Sequence, residues 1–161
     1  MLISSFCANS YPSNFAFSEE EIEKFANNML EFALKESPSE DFSVDYDYEL
    51  EIMICDNDFI HNINRDYRKK DNPTDVITFA LYFDTEEKVI IENNISLGQI
   101  IISADKVFEQ AKSNNVSVKY ELLNLLAHGI LHLIGFTHDD DDALERMLIL
   151  QAKMIESVEN V

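Results

Sequence analysis

Tryptophan is absent from this chain of 161 residues, and cysteine, glycine and proline are scarce, with two Cys, three Gly and three Pro. The two cysteines, Cys7 and Cys55, are too few for a disulfide scaffold and are not spaced as a Cys-x-x-Cys redox or metal pair, so a reducing, cytoplasmic setting is expected. The shortage of Gly and Pro leaves little material for linkers, and 46% hydrophobic residues suffice for one ordinary core, so residues 1–161 are expected to form a single domain. Basic residues are scarce too: 12 Lys and Arg stand against 31 Asp and Glu, a formal net charge of −19. Such a surface repels DNA, RNA and anionic membranes at long range, so a nucleic-acid partner has to be met locally; the same excess also serves solubility. No apolar run approaches the roughly 20 residues of a membrane span. The longest, Leu122 to Ile134, is broken by Asn124, His128, Gly129 and His132, and the first seven residues lack the basic start of a signal peptide.

Periodicity organises the rest. Apolar residues at Ile22, Phe25, Ala26, Met29, Phe32 and Ala33 mark a helix from Glu19 to about Lys35, with Ser18 and Glu21 placed for a capping box and Ser-Pro-Ser-Glu at 37–40 ending it. Val44 to Ile54 alternates apolar with acidic, the pattern of a strand with one wet face near a sheet edge. Asp56 to Arg68 returns to helical spacing, and Asp71-Asn72-Pro73 forces a loop. Val76 to Phe83 and Leu97 to Ser103 read as strands, the second covered on both faces, with the acidic stretch Asp84 to Asn94 as a hairpin arm or loop between them. Ala104 to Asn114, Lys119 to Ile134 and Asp142 to about Val158 read as helices. The fold class expected is α/β (α+β): a mixed sheet of about four strands packed with about five helices.

Three of the four histidines fall in eleven residues, His128-Gly-Ile-Leu-His132-Leu-Ile-Gly-Phe-Thr-His138. The first two, at i and i+4, stack on one helix face, within reach of one cation at roughly 2.0–2.1 Å from each imidazole. Gly135 is placed to stop the helix in a left-handed conformation, letting His138 close the site from a loop. Any one of these histidines alone reads as an ordinary hydrogen-bonded residue. Two on a helix that is otherwise apolar all round each need a polar partner, and a shared metal serves both. Three nitrogens and one open position describe catalytic zinc, which lowers the pKa of bound water to about 7. The His-x-x-x-His-x-x-Gly-x-x-His spacing is also that of metzincin proteases, but their glutamate general base is here Gly129, which argues against peptide hydrolysis. Glu121 is expected to be a solvated or capping residue, with a place behind the histidines as the alternative, and His61 is expected to be structural.

With these residues on the page, the chain resembles the YbeY family of rRNA-processing endoribonucleases. The resemblance rests on the histidine motif with glycine at the glutamate position, on Ile63-Asn64-Arg65-Asp66-Tyr67-Arg68, on Pro73-Thr74-Asp75-Val76-Ile77-Thr78-Phe79 and on Leu97-Gly98-Gln99-Ile100-Ile101-Ile102-Ser103, four motifs in order across residues 45 to 140. Gln99 and Thr137 stand where the family usually has aspartate, and Ala80 where it has proline; none of these removes a histidine. The resemblance implies one zinc ion on His128, His132 and His138, hydrolysis of single-stranded RNA, and a role in small-subunit rRNA maturation and ribosome quality control. It also implies that Arg68 faces the phosphate, within the dense basic cluster Arg65, Arg68, Lys69 and Lys70, which otherwise reads as a charged helix end. The acidic net charge implies weak binding of free RNA, and hence the ribosome or a ribosomal protein as partner, with no DNA and no membrane. Two readings compete: a metalloprotease, and a non-catalytic ribosome-assembly factor with zinc as a folding staple.

Overall fold

The computed structural model describes residues 14–36, 41–43, 45–84, 90–91 and 93–159. In chain order the elements are α1 (Glu19–Glu36), β1 (Asp47–Cys55), α2 (Asn57–Arg68), β2 (Val76–Phe79), α3 (Leu81–Asp84), β3 (Ile90–Ile91), β4 (Asn94–Ser103), α4 (Ala104–Ser113), α5 (Val118–Leu133) and α6 (Asp141–Glu159). This is the mixed α+β class read from the sequence, with four strands and, among the described residues, six helices where five were expected. The extra helix comes from the run Val76 to Phe83. The strand stops at Phe79, and the chain turns into one helical turn closed by Asp84 N–H donating to the Ala80 carbonyl at 2.8 Å. The Ser-Pro-Ser-Glu helix stop at 37–40 lies outside the described residues, as do Val44 and residues 85–89 and 92 of the acidic arm. Of that arm, β3 pairs antiparallel with the start of β4.

β4 is the central strand, parallel to β1 and antiparallel to β2. β1 keeps its alternation because Tyr48, Leu50, Ile52 and Ile54 point into the main core while Asp47, Glu49 and Glu51 stay exposed. Its partner cannot alternate so simply. The register between them slips after Glu49, which pairs with Ser96, so that Leu50 pairs with Gly98 and Leu97 is the extra residue of a bulge. The slip moves the inward set of β4 from Ile95 and Leu97 to Ile100 and Ile102, keeping all four on the core side. Both faces of β4 are buried only beyond the bulge, over Ile100 to Ser103.

Helices α1, α4, α5 and α6 cover the inner face of the sheet; α2 alone packs on the outer face, where Ile60, Ile77, Ile101 and Cys55 form a second small cluster. α5 is apolar on nearly every side because it is wedged between the sheet, α1, α4 and α6. Each Leu or Ile buried there contributes about 1.5–3 kcal/mol through removal of apolar surface from water. α5 comes close to the sheet at Gly129, where a Cβ would sit 2.9 Å from Cγ2 of Ile100. α1 is capped as the sequence indicated, Ser18 and Glu21 exchanging hydrogen bonds at 2.8 and 3.1 Å, and Asp56, Ser103 and Ser117 likewise accept from the first turns of α2, α4 and α5. Among the described residues no helix is long and apolar enough to cross a membrane.

Candidate metal centre

α5 places His128 and His132 one turn apart, and the helix then ends in a left-handed turn. Gly135 has φ +100°, its N–H donates to the His132 carbonyl, and Phe136 N–H donates to the Leu131 carbonyl at 2.9 Å. This turn brings His138 back over the helix. The three rings lie with centroids 4.5 to 5.9 Å apart, and each offers one nitrogen within 4.8 Å of the others, a set able to hold a metal ion. His128 and His132 are partly buried and His138 is exposed, so the cluster opens to solvent on the side of the loop.

The hydrogen bonds behind the rings decide which nitrogens face inward. His132 Nδ1 lies 3.0 Å from the Phe136 carbonyl, which can only accept, so Nδ1 carries the proton. His128 Nδ1 lies 3.3 Å from Oε1 of Gln151, whose own amide nitrogen donates to Asn124 Oδ1, so His128 is protonated on Nδ1 as well. Both Nε2 atoms then present lone pairs to each other, at 3.0 Å. Two lone pairs at that distance repel unless a cation lies between them. Nitrogens around a tetrahedral zinc ion stand roughly 3.3 Å apart, so the donor set fits such an ion. Burial holds the pKa of both rings below the ordinary histidine range. The Gln151 hydrogen bond opposes the effect at His128; at His132 the neighbouring His128 adds to it and the Phe136 hydrogen bond opposes it. The rings are therefore kept in the neutral form a metal requires.

In the same helix, one residue departs from the solvated or capping role expected of it. Glu121, expected to be solvated, is 3% exposed in the first turn of α5, and burial, with the charge of Asp75 adding, raises its carboxyl pKa. Asp75 is fixed by its neighbours: Oδ1 accepts Val76 N–H at 2.8 Å, Oδ2 accepts Gln110 at 3.2 Å, and its carbonyl accepts Ser103 N–H. The Asp75 charge also acts on His128, favouring its protonated form. Gln151 and Asn124 were not recognised as parts of the site. The signal available was a glutamine in the inward stripe of α6, where an apolar residue would otherwise stand.

The structure brings the three histidines together but does not join Arg68 to them. Arg68 is exposed in the last turn of α2, on the other side of the sheet from α5, and neither it nor Lys70 has a side-chain partner among the described residues. His61 is paired with Asp71 at 2.8 Å, in keeping with the structural role expected of it. Asn64, of the first family-like segment, is buried and donates to the Asn72 carbonyl at 2.8 Å, tying the end of α2 to the loop that leads to Asp75. Gln99 lies on the outer side of the sheet beside Phe79, and Thr137 is exposed before His138.

Fold and site together define an α+β protein with a three-histidine cluster, able to hold a metal ion, shared between one buried helix and the loop that follows it. The family model described as Endoribonuclease YbeY matches residues 8–159. Endoribonuclease YbeY of Bacillus subtilis is 41% identical over 141 residues, covering 86% of this chain and 87% of its own, and that of Borrelia duttonii is 39% identical over 116 residues, covering 71% and 76%. A Thermotoga maritima protein solved in solution has the same fold, with a TM-score of 0.61 and 25% identity over 98% of this chain and 89% of its own. The chain belongs to the YbeY endoribonuclease family.

Proposed function

We propose that this protein is a zinc-dependent endoribonuclease that hydrolyses phosphodiester bonds of single-stranded RNA in maturation of small-subunit rRNA, working in the cytoplasm and engaging its substrate on the ribosome. Family membership supports the reaction class. The observation that carries the metal dependence is the pair of facing Nε2 lone pairs at 3.0 Å, each fixed by a hydrogen bond behind its ring. His128, His132 and His138 would hold the ion. When bound, zinc activates water near neutral pH and polarises a phosphoryl oxygen.

The chain's own residues supply the rest. Gln151 and the Phe136 carbonyl hold two imidazoles in one tautomer and orientation, and the Gly135 turn sets His138 over the open side. Arg68 presents a planar donor fork suited to a substrate phosphate, and its exposure leaves that fork available. The net charge of −19 opposes capture of free RNA, which favours a substrate delivered by the ribosome or one of its proteins. The protease reading loses ground at Gly129, since a glutamate there would have to grow into Ile100.

Cleavage of a labelled single-stranded RNA by the wild type beside an identically purified His132→Ala tests this reading. Cutting by the wild type alone is expected. A wild type that carries zinc yet leaves the RNA intact, with or without ribosomal subunits, would overturn it in favour of a zinc-stapled assembly factor.

A further inference from the structure

The outer face of the sheet is only partly covered. Between α2 and strands β2 and β4 runs a groove of about 340 Å³, lined by Met53, Phe59, Ile63, Tyr67, Phe79 and Gln99 among others. At its mouth Tyr67 is 69% exposed, with its ring edge-on to Phe79 at a centroid distance of 5.9 Å and its hydroxyl unpartnered among the described residues. An aromatic ring left so open adds little to the stability of the fold. Gln99 also lines the groove, and its side-chain amide has no hydrogen bond among the described residues.

Cations outnumber carboxylates at the α2 end of this groove, even with Asp66, which pairs with Arg65 at 3.1 Å, and Asp71 in the same stretch. Four of the chain's 12 cations, Arg65, Arg68, Lys69 and Lys70, flank Tyr67 on the last turn of α2 and just beyond. A second groove of about 440 Å³ adjoins the first through Phe79 and Gln99 and carries Glu49 and Glu51, which repel an anion and confine it to the α2 end. An occupant with a flat apolar ring, hydrogen-bonding edges and a negative backbone matches all of these features, and single-stranded RNA has that chemistry.

We propose that this groove is a nucleobase-binding subsite for single-stranded RNA. Tyr67 provides the stacking platform, the Gln99 amide pairs with a purine edge, and Arg68 and Lys70 hold the adjoining phosphates. The subsite rests on the ribonuclease reading and adds to it a preference for purines.

Anisotropy of fluorescein-labelled 12-mers of oligoadenylate and oligouridylate, bound to full-length His132→Ala so that the probes survive, tests the subsite. Stacking of one base is worth about 1–3 kcal/mol, so Tyr67→Ala on that background is expected to weaken oligoadenylate binding by about 5- to 100-fold. Tyr67→Phe should bind as the parent does, and the preference for oligoadenylate should shrink toward unity only in Tyr67→Ala. Unchanged affinity and unchanged preference in Tyr67→Ala, with the otherwise wild-type enzyme still cutting RNA, would overturn the subsite and leave the nuclease standing. A wild type that neither binds nor cuts RNA would overturn both.

Discussion

At the scale of single residues, the site depends on groups that do not touch the metal position. Gln151 reaches from α6 to His128 Nδ1 and fixes which nitrogen faces the cluster. Partners of this kind typically account for 10- to 100-fold in metal affinity. Gln151→Leu should therefore weaken zinc binding by about that factor in competition with a chromophoric chelator, and Gln151→Glu should restore it. The depressed pKa values of His128 and His132 have a sign that can be tested in the metal-free protein. Their folded values lie below the ordinary 6.5, so as pH falls below 6.5 the unfolded chain binds protons that the folded chain refuses. Stability from these rings is present above that pH and is lost on acidification. Glu121 has the opposite sign: its raised pKa favours the fold at low pH and penalises it as pH rises. Urea midpoints of the metal-free protein at pH 7.5 and 5.5 should fall on acidification, and fall further in Glu121→Gln, which removes the opposing group. The clustering of His128, His132 and His138 was legible because their spacing is local. Gln151 and Glu121 were not, because their roles come from packing between elements far apart in the chain.

At the scale of elements, the bulge in β4 carries the most consequence. Gly98 has φ +137°, and a Cβ there would stand 1.9 Å from the Phe79 carbonyl oxygen. No side chain can yield to relieve that clash, because the opposing atom is backbone. Gly98→Ala should destabilise the fold by about 3 kcal/mol or more, combining backbone strain with a forced parting of β2 from β4. Equilibrium denaturation reads this directly, and a change below about 1 kcal/mol would contradict the close approach. The same contact explains why the apolar run Val76 to Phe83 did not stay a strand. Its composition suits a strand throughout, but pairing with β4 ends where Phe79 meets Gln99, beside that glycine, and the next residues turn into α3. By contrast, β1 and the capped start of α1 were readable in advance, since alternation and capping are written within a few neighbouring residues.

At the scale of the whole molecule, an acidic body carries one basic end, and binding of RNA should show it. Each phosphate neutralised on a single strand contributes about −0.7 to the slope of log affinity against log salt. With Arg65, Arg68, Lys69 and Lys70 as the available cations, that slope should be no steeper than about −3. A much steeper slope in anisotropy titrations would place phosphates elsewhere on the surface. The class of the fold was legible from the order of strands and helices. The side of the sheet on which each helix lies was not, because sequence periodicity gives a helix an inner face without naming the face of the sheet that it covers.

The reach of Gln151 across to His128 also bears on the order in which the site assembles. A chain in which α5 has formed but α6 has not yet packed against it already carries His128 and His132 on one helix face, without the glutamine that fixes the His128 tautomer. The metal centre is thus completed only once α6 has docked. The helix that carries two of the histidines can form before the contact that orients one of them, so packing of α6 acts as the last step in assembling the site.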